Sequence, residues 1–233
     1  TEAVFCAAAF WAWERATARQ WGAAAVLAAV AASVRVSGVF LIAAMVVLAL
    51  TQAGASRERG RRLAWLGLPV AVVAAYLGYL YAITGSWTAW LDAQTSGWAR
   101  GFAWPWQSLQ HTLNVLAPGA YADHPEWRWV FAAEIVSMAV GLVVTIVQLA
   151  QRRWAEATWV GLQLVAFGTS YWFMSVNRAV LLWFPLWILV GRLVEGRGRP
   201  PAWRVALVSL LAVVALAVQA VWAWLFFTGR WAS

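Results

Sequence analysis

Residues 205–227 read VALVSLLAVVALAVQAVWAWLFF, and no charged residue occurs from 205 to 229. A helix needs about 20 apolar residues to cross the hydrocarbon core of a bilayer. Residues 63–83, LAWLGLPVAVVAAYLGYLYAI, meet the same condition inside a stretch, 63–91, that carries no charge. Residues 129–150 and 158–176 complete the four clear spans. The runs are continuous and do not alternate apolar with polar. Every spanning backbone must satisfy its own hydrogen bonds, so the reading is a bundle of helices and not a barrel. Shorter apolar stretches lie at 3–13, 21–34, 38–52 and 180–191. Fourteen residues of helix reach only about 21 Å, so these helices stop short of one surface, are truncated, or pack in a protein-lined recess. The fold class expected is all-α, a polytopic transmembrane bundle of about eight helices, with residues 1–233 as one transmembrane domain.

Composition agrees. Of 233 residues, 64% are apolar, 11% are charged and 20 are Trp, against roughly 25% charged in an ordinary soluble domain. That excludes a soluble enzyme or a nucleic-acid-binding domain. The net charge of +8 comes from 17 basic residues, all of them Arg, which suits a GC-rich genome. The Arg residues sit in short loops, where they report topology. If the loops near 14–20, 53–62, 151–157 and 192–204 face the cytoplasm, they hold twelve Arg. The opposite side holds five: Arg35, Arg100, Arg128, Arg178 and Arg230. The positive-inside rule favours this orientation. It places both chain ends and the long polar stretch 84–128 outside. That stretch is rich in Trp and Tyr, which argues against disorder. It is either an interfacial loop lying on the membrane or a roof over a cavity.

Ionisable groups at membrane depth are rare and tend to be functional. Glu2 opens the first apolar segment, as a first-turn acid capped by Thr1 or as a polar group facing an outer cavity. Arg35, in Ser33-Val34-Arg35-Val36-Ser37-Gly38, stands at the tip of a short hairpin. It either grips a phosphate with paired donors or snorkels to headgroups. Asn177-Arg178 forms a second tip, as a capped tight turn or as part of a recess. Pro185, just beyond, is expected to kink the helix at 180–191. Glu134 in the fifth segment is read as structural, paired with Arg128. His111 and His124 lack metal-site spacing and read as surface groups. The single Cys6 excludes an intramolecular disulfide. There is no P-loop and no dinucleotide fingerprint. No metal site or cofactor is expected.

Four places in order carry a resemblance. Thr1-Glu2-Ala3-Val4-Phe5 opens a helix. Val34-Arg35-Val36-Ser37-Gly38 matches an Arg-x-x-Gly hairpin tip. The outer loop runs from Trp90-Leu91-Asp92-Ala93-Gln94 through Trp98, Arg100 and Trp104-Pro105. Ser175-Val176-Asn177-Arg178 is followed by Phe184-Pro185. In these the chain resembles the C-terminal two-thirds of the mannosyltransferase family typified by the second mannosyltransferase of GPI-anchor synthesis (PIG-V-like), in its bacterial branch. That family is of the GT-C class of polytopic glycosyltransferases.

The resemblance implies a hexosyl (mannosyl) transferase in a bacterial cell membrane. It would use a polyprenyl-phosphate sugar donor and a lipid or glycan acceptor at the extracytoplasmic face. It implies Arg35 as a contact for the lipid phosphate, and Glu2, Asn177 and Arg178 as cavity-lining groups. Gln94, Trp98 and Arg100 would belong to the sugar or acceptor site. The class places a catalytic Asp in a first outer loop. Neither Asp92 nor Asp123 stands in that position, so the chain is expected to be a fragment whose catalytic base lies upstream. The alternatives are a secondary transporter, which would show midplane sites and often repeats, and a non-catalytic membrane scaffold.

Overall fold

The computed structural model describes residues 2–98, 100–192 and 201–230. Thr1, and with it the expected N-cap, lies outside them, as do Arg197 and Arg199. Among the described residues the chain is helical, with no strand and one isolated antiparallel bridge between Phe102 and Ser170. The helices are α1 (Glu2–Thr17), α2 (Trp21–Val34), α3 (Gly38–Thr51), α4 (Ser56–Trp65), α5 (Gly67–Thr84), α6 (Ala89–Trp98), α7 (Pro105–Val115), α8 (Trp127–Ala150), α9 (Trp154–Gly168), α10 (Val176–Ala179), α11 (Phe184–Arg192) and α12 (Ala202–Phe227). A 3-10 turn, Val180–Leu182, joins α10 to α11.

Among the described residues, three elements are long and apolar enough to cross a membrane: Ser56–Thr84, Trp127–Ala150 and Ala202–Phe227. They mark the chain as a membrane protein. Ser56–Thr84 is α4 running on into α5. On α5 only Pro69 is buried, and on α12 only Leu225. Apolar side chains left uncovered on this scale need lipid or protein around them.

The shorter helices build the core. Ala8, Ala9, Ala12 and Ala16 of α1 are buried, as are Ala24, Ala25, Ala28 and Ala31 of α2. Small side chains let two backbones approach closely, which is how apolar helices pack where no water drives them together. Behind them sit Phe5, Leu41, Met45, Trp159 and Trp183, all fully buried. Three polar side-chain groups around Trp159 and Trp183 form a hydrogen-bonded chain in this core. Trp159 Nε1 donates to Leu182 O (2.9 Å), Gln163 Nε2 donates to Trp159 O (2.8 Å), and Trp183 Nε1 donates to Gln163 Oε1 (3.3 Å).

The span expected at 158–176 is not continuous. Helix α9 ends at Gly168, and residues 169–175 leave the helix. Their backbone groups are taken by the segment that begins α7. Ala103 N donates to Thr169 O (3.0 Å), Ser108 Oγ to Ser170 O, and His111 Nδ1 to Tyr171 O (2.8 Å). Phe173 N donates to Thr112 Oγ1 (2.9 Å). Non-helical backbone is tolerated within a membrane bundle when protein satisfies it. Within the stretch 84–128, α7 and the residue Ala103 before it are thus latched onto 169–173. Pro185 does not kink a helix either. It sits in the first turn of α11, where its missing N–H would have no intrahelical acceptor.

Candidate functional site

Helices α2 and α3 reverse through three residues. Arg35 is extended (φ −149°, ψ 145°), its amide still donates to Ala31 O (3.2 Å), and its carbonyl accepts from Gly38 N (2.9 Å). A turn this tight brings Gly38 against the end of α2. A Cβ on Gly38 would lie 2.8 Å from Ala32 N and 2.9 Å from Ala32 Cβ, so the position admits only hydrogen there. The result is a rigid tip carrying Arg35.

Arg35 Nη1 donates to Glu2 Oε1, at the start of α1. The same oxygen lies 3.1 Å from Arg178 Nε. Arg178 forms this ion pair but no hydrogen bond among the described residues, and its Nε is buried. Glu2, Arg35 and Arg178 are therefore one cluster drawn from three distant parts of the chain. Burial alone would raise the Glu2 pKa. The hydrogen bond from Arg35, a backbone hydrogen bond at its own residue and the charges of Arg35 and Arg178 outweigh it, and hold Glu2 at about 2. Among the described residues, one carboxylate stands between two guanidiniums, so these three side chains together are net positive at neutral pH.

The Asn177-Arg178 tip is held from behind. Ser175 adopts a left-handed conformation (φ 68°) that turns the chain into α10. Glu134 of α8, with no exposed surface, accepts from Ser175 N (3.1 Å) and Asn177 N (2.9 Å). The carboxylate takes up amides that the short helix leaves unpaired at its start. Asn177 is spent on α8 as well. Ser137 Oγ donates to Asn177 Oδ1 (2.7 Å), and Asn177 Nδ2 donates to Val130 O (3.3 Å). Arg100 Nη2 donates to Ser175 Oγ (3.1 Å) and Met174 O (3.4 Å). Burial, and then the positive charge of Arg178, lower the Arg100 pKa, while Glu134 counteracts this.

The expected pairing of Glu134 with Arg128 does not form. The Arg128 guanidinium lies 5.8 Å from the centre of the Trp129 ring, and Glu134 is turned to the 175–177 backbone. Two backbone amides donating to one buried acid explain why it stays inside.

The seven expected site residues fall into three groups. Glu2, Arg35 and Arg178 meet directly. Arg100 and Asn177 stand behind Arg178 and fix its segment. Gln94 and Trp98 are apart. Gln94 contributes only its carbonyl, to Arg100 N (3.4 Å), and Trp98 is half exposed. Ser137, Ser175 and the anchoring role of Glu134 were not among the expected residues. The visible signal was Glu134 followed at i+3 by Ser137 in an otherwise apolar run, two polar groups on one helix face. Among the described residues no three His, Cys, Asp or Glu side chains converge as metal ligands.

Two guanidiniums on one carboxylate, with Arg178 lacking a hydrogen-bonded acceptor among the described residues, suit a phosphate. It can take charge-assisted hydrogen bonds from both. No family model, curated protein or solved structure matches this chain.

Proposed function

We propose that the chain is the donor-binding part of an integral-membrane glycosyltransferase using a polyprenyl-phosphate sugar, a mannosyl donor by the resemblance described above. Glu2, Arg35 and Arg178 form its phosphate site. In this reading eight helical segments lie in a bacterial cell membrane, with both ends of the chain and the Arg35 tip on the extracytoplasmic side. The observation that carries it is the meeting of Arg35 and Arg178 on Glu2. These residues belong to three separate motifs of the resemblance.

The chemistry follows from the charges. As the acceptor hydroxyl bonds to the anomeric carbon, the bond from that carbon to the phosphate oxygen breaks, and the leaving polyprenyl phosphate gains negative charge. Arg35 and Arg178 stabilise that charge where it develops. Glu2 holds the two guanidiniums in place when no phosphate is bound. Arg100, Ser175 and Glu134 fix the backbone from which Arg178 projects. The acceptor proton must pass to a base, which the reading assigns to none of these residues. Glu134 already accepts from two amides, and Glu2 is ion-paired with both Arg residues.

The test is transfer of radiolabelled mannose from polyprenyl-phosphate-mannose in membranes holding the full-length gene product, its Arg35→Ala variant or its Arg178→Ala variant. Transfer that falls sharply in both variants is the expected result. No transfer by a correctly inserted protein, with this or other hexosyl donors, would sink the reading in favour of a transporter or scaffold.

A further inference from the structure

A second recess lies at the opposite end of α2 from Arg35. It has a volume of about 430 Å³, between the α1–α2 turn and α4. Among the described residues, Arg19, Trp21, Arg61, Arg62 and Trp65 line it, with Glu58 as the one acid. Three Arg against one Glu leave it net positive. Arg62 is 4% exposed and built in. It donates to Gln52 O (2.9 Å), Ala53 O (2.8 Å) and Ala49 O (3.4 Å), so it closes the C-terminal end of α3. Glu58 reaches it at 3.4 Å but is itself half exposed. Arg19 and Arg61 are exposed, and their side chains make no hydrogen bond or ion pair among the described residues.

The walls are aromatic. Trp21 is buried, and its Nε1 has no acceptor among the described residues. Trp65 stands over Gly22, where a Cβ would meet its ring at 3.4 Å. Trp is favoured at the headgroup layer because one end of its ring system is apolar and the other can bond.

An exposed apolar track leads away from the recess along the two helices that frame it. On α2, Gly22 and Ala23 are followed at helical spacing by Val26 and Val30, 53% and 42% exposed. On the α4–α5 element, Trp65 is followed at i+3 by Leu68, 43% exposed. A cationic recess continuous with uncovered aliphatic helix faces matches a molecule with an anionic head and hydrocarbon tails. Free phosphate has no use for the track, and a zwitterionic headgroup has no net charge to match the Arg residues.

We propose that this recess binds the phosphate headgroup of an anionic membrane lipid, with its acyl chains along Val26, Val30 and Leu68. Arg19 and Arg61 supply exposed donors, and Arg62 a buried charge beside them. Basic pockets between spanning helices recognise anionic headgroups in this way. The site is separate from the Glu2 cluster and does not depend on what that cluster binds.

The experiment is lipid retention by the full chain in detergent, read by native mass spectrometry. Phosphatidylglycerol is compared with phosphatidylcholine of the same chain length. The variant Arg19→Gln/Arg61→Gln is compared with Arg57→Gln/Arg59→Gln, which removes the same charge from α4 positions that do not line the recess. Phosphatidylglycerol retention should fall by about tenfold in the first variant and stay within about twofold of wild type in the second. Inorganic phosphate at millimolar concentration should not displace the lipid. The single exposed substitution Arg61→Glu carries the same expectation if the double variant fails to insert. Equal loss in both double variants would reduce the effect to general surface charge and overturn the proposal. So would equal retention of phosphatidylcholine, or displacement by inorganic phosphate.

Discussion

Arg178 Nε lies 3.1 Å from Glu2 Oε1, yet donates no hydrogen bond to it. Arg35 takes the same oxygen as its acceptor. The two Arg residues are therefore unequal: one is hydrogen-bonded to the carboxylate and the other is held mainly by charge. An anion entering the cluster can recruit Arg178 without first breaking a hydrogen bond. Arg178→Ala should weaken binding of a polyprenyl phosphate by about 10- to 100-fold, the range of a lost charge-assisted hydrogen bond. Arg178→Lys should recover only part of it, because a point charge replaces the planar fork. Titration of the purified protein with polyprenyl phosphate checks both, and equal affinity in wild type and Arg178→Ala would rule out this role.

Glu2 sets a pH expectation. Its pKa in the folded protein, about 2, is below the ordinary 4.5. A lowered carboxylate pKa contributes stability above the unfolded value and loses it as pH falls through the folded one. The stability difference between wild type and Glu2→Gln should therefore be constant from pH 5 to pH 8 and shrink only below about pH 4.5. Thermal unfolding of both proteins across this range measures it. A difference that already changes between pH 5 and pH 7 would show that Glu2 is not held ionised by Arg35 and Arg178.

Much of this arrangement was legible in the sequence, and for a local reason. An uncharged run such as 205–227 is long enough on its own, whatever it packs against. The gathering of Glu2, Arg35 and Arg178 was also foreseeable, because each is a costly group at the end of an apolar segment on the same side of the charge count. The rest depended on distant partners. Glu134 bonds amides 41 and 43 residues away, which neither periodicity nor spacing can display. The break after Gly168 is set by hydrogen-bonding groups on α7, so the apolar run 158–176 looked like one span. Gln94 and Trp98 fell outside the cluster because α6 buries none of its residues.

Glu134 should be worth more to the fold than any other acid among the described residues, being the one that is fully buried. Glu134→Ala leaves Ser175 N and Asn177 N without their acceptor in a buried site, at about 1–3 kcal/mol for each orphaned group. Glu134→Gln keeps one carbonyl oxygen and should lose less. Hydrogen exchange at 174–178, with thermal unfolding alongside, reads the effect. Unchanged protection in Glu134→Ala would mean the tip is held by Arg100 and Ser137 alone.

Two glycines make a matched pair. An added methyl at Gly38 meets the Ala32 backbone, whereas at Gly60 it meets nothing within 4 Å. Gly38→Ala should destabilise by about 1–3 kcal/mol through overpacking and shift the Arg35 tip, lowering anion affinity with it. Gly60→Ala, inside α4, should be stabilising by about 0.5–1 kcal/mol through helix propensity. Thermal unfolding of the two variants decides between a packing constraint at the tip and a general intolerance of added volume.

The latch between α7 and the segment 169–175 connects fold to site. Thr112 Oγ1 accepts from Phe173 N (2.9 Å) and donates to Ser108 O (2.7 Å), and both Thr112 and Ser108 are fully buried. Thr112→Val keeps the shape and removes the acceptor, so Phe173 N–H is orphaned at a cost of about 1–3 kcal/mol. The strain falls on the stretch that leads to Ser175 and Arg178, so polyprenyl-phosphate affinity should drop together with stability. Thr95→Val is the control. Its hydroxyl bonds only Leu91 O on exposed α6, and its effect should stay within about 0.5 kcal/mol. If Thr112→Val lowers the unfolding temperature but leaves affinity intact, Arg178 is positioned by Glu134 and Arg100 without help from α7. If both fall, α7 is part of the site, acting through the backbone it holds.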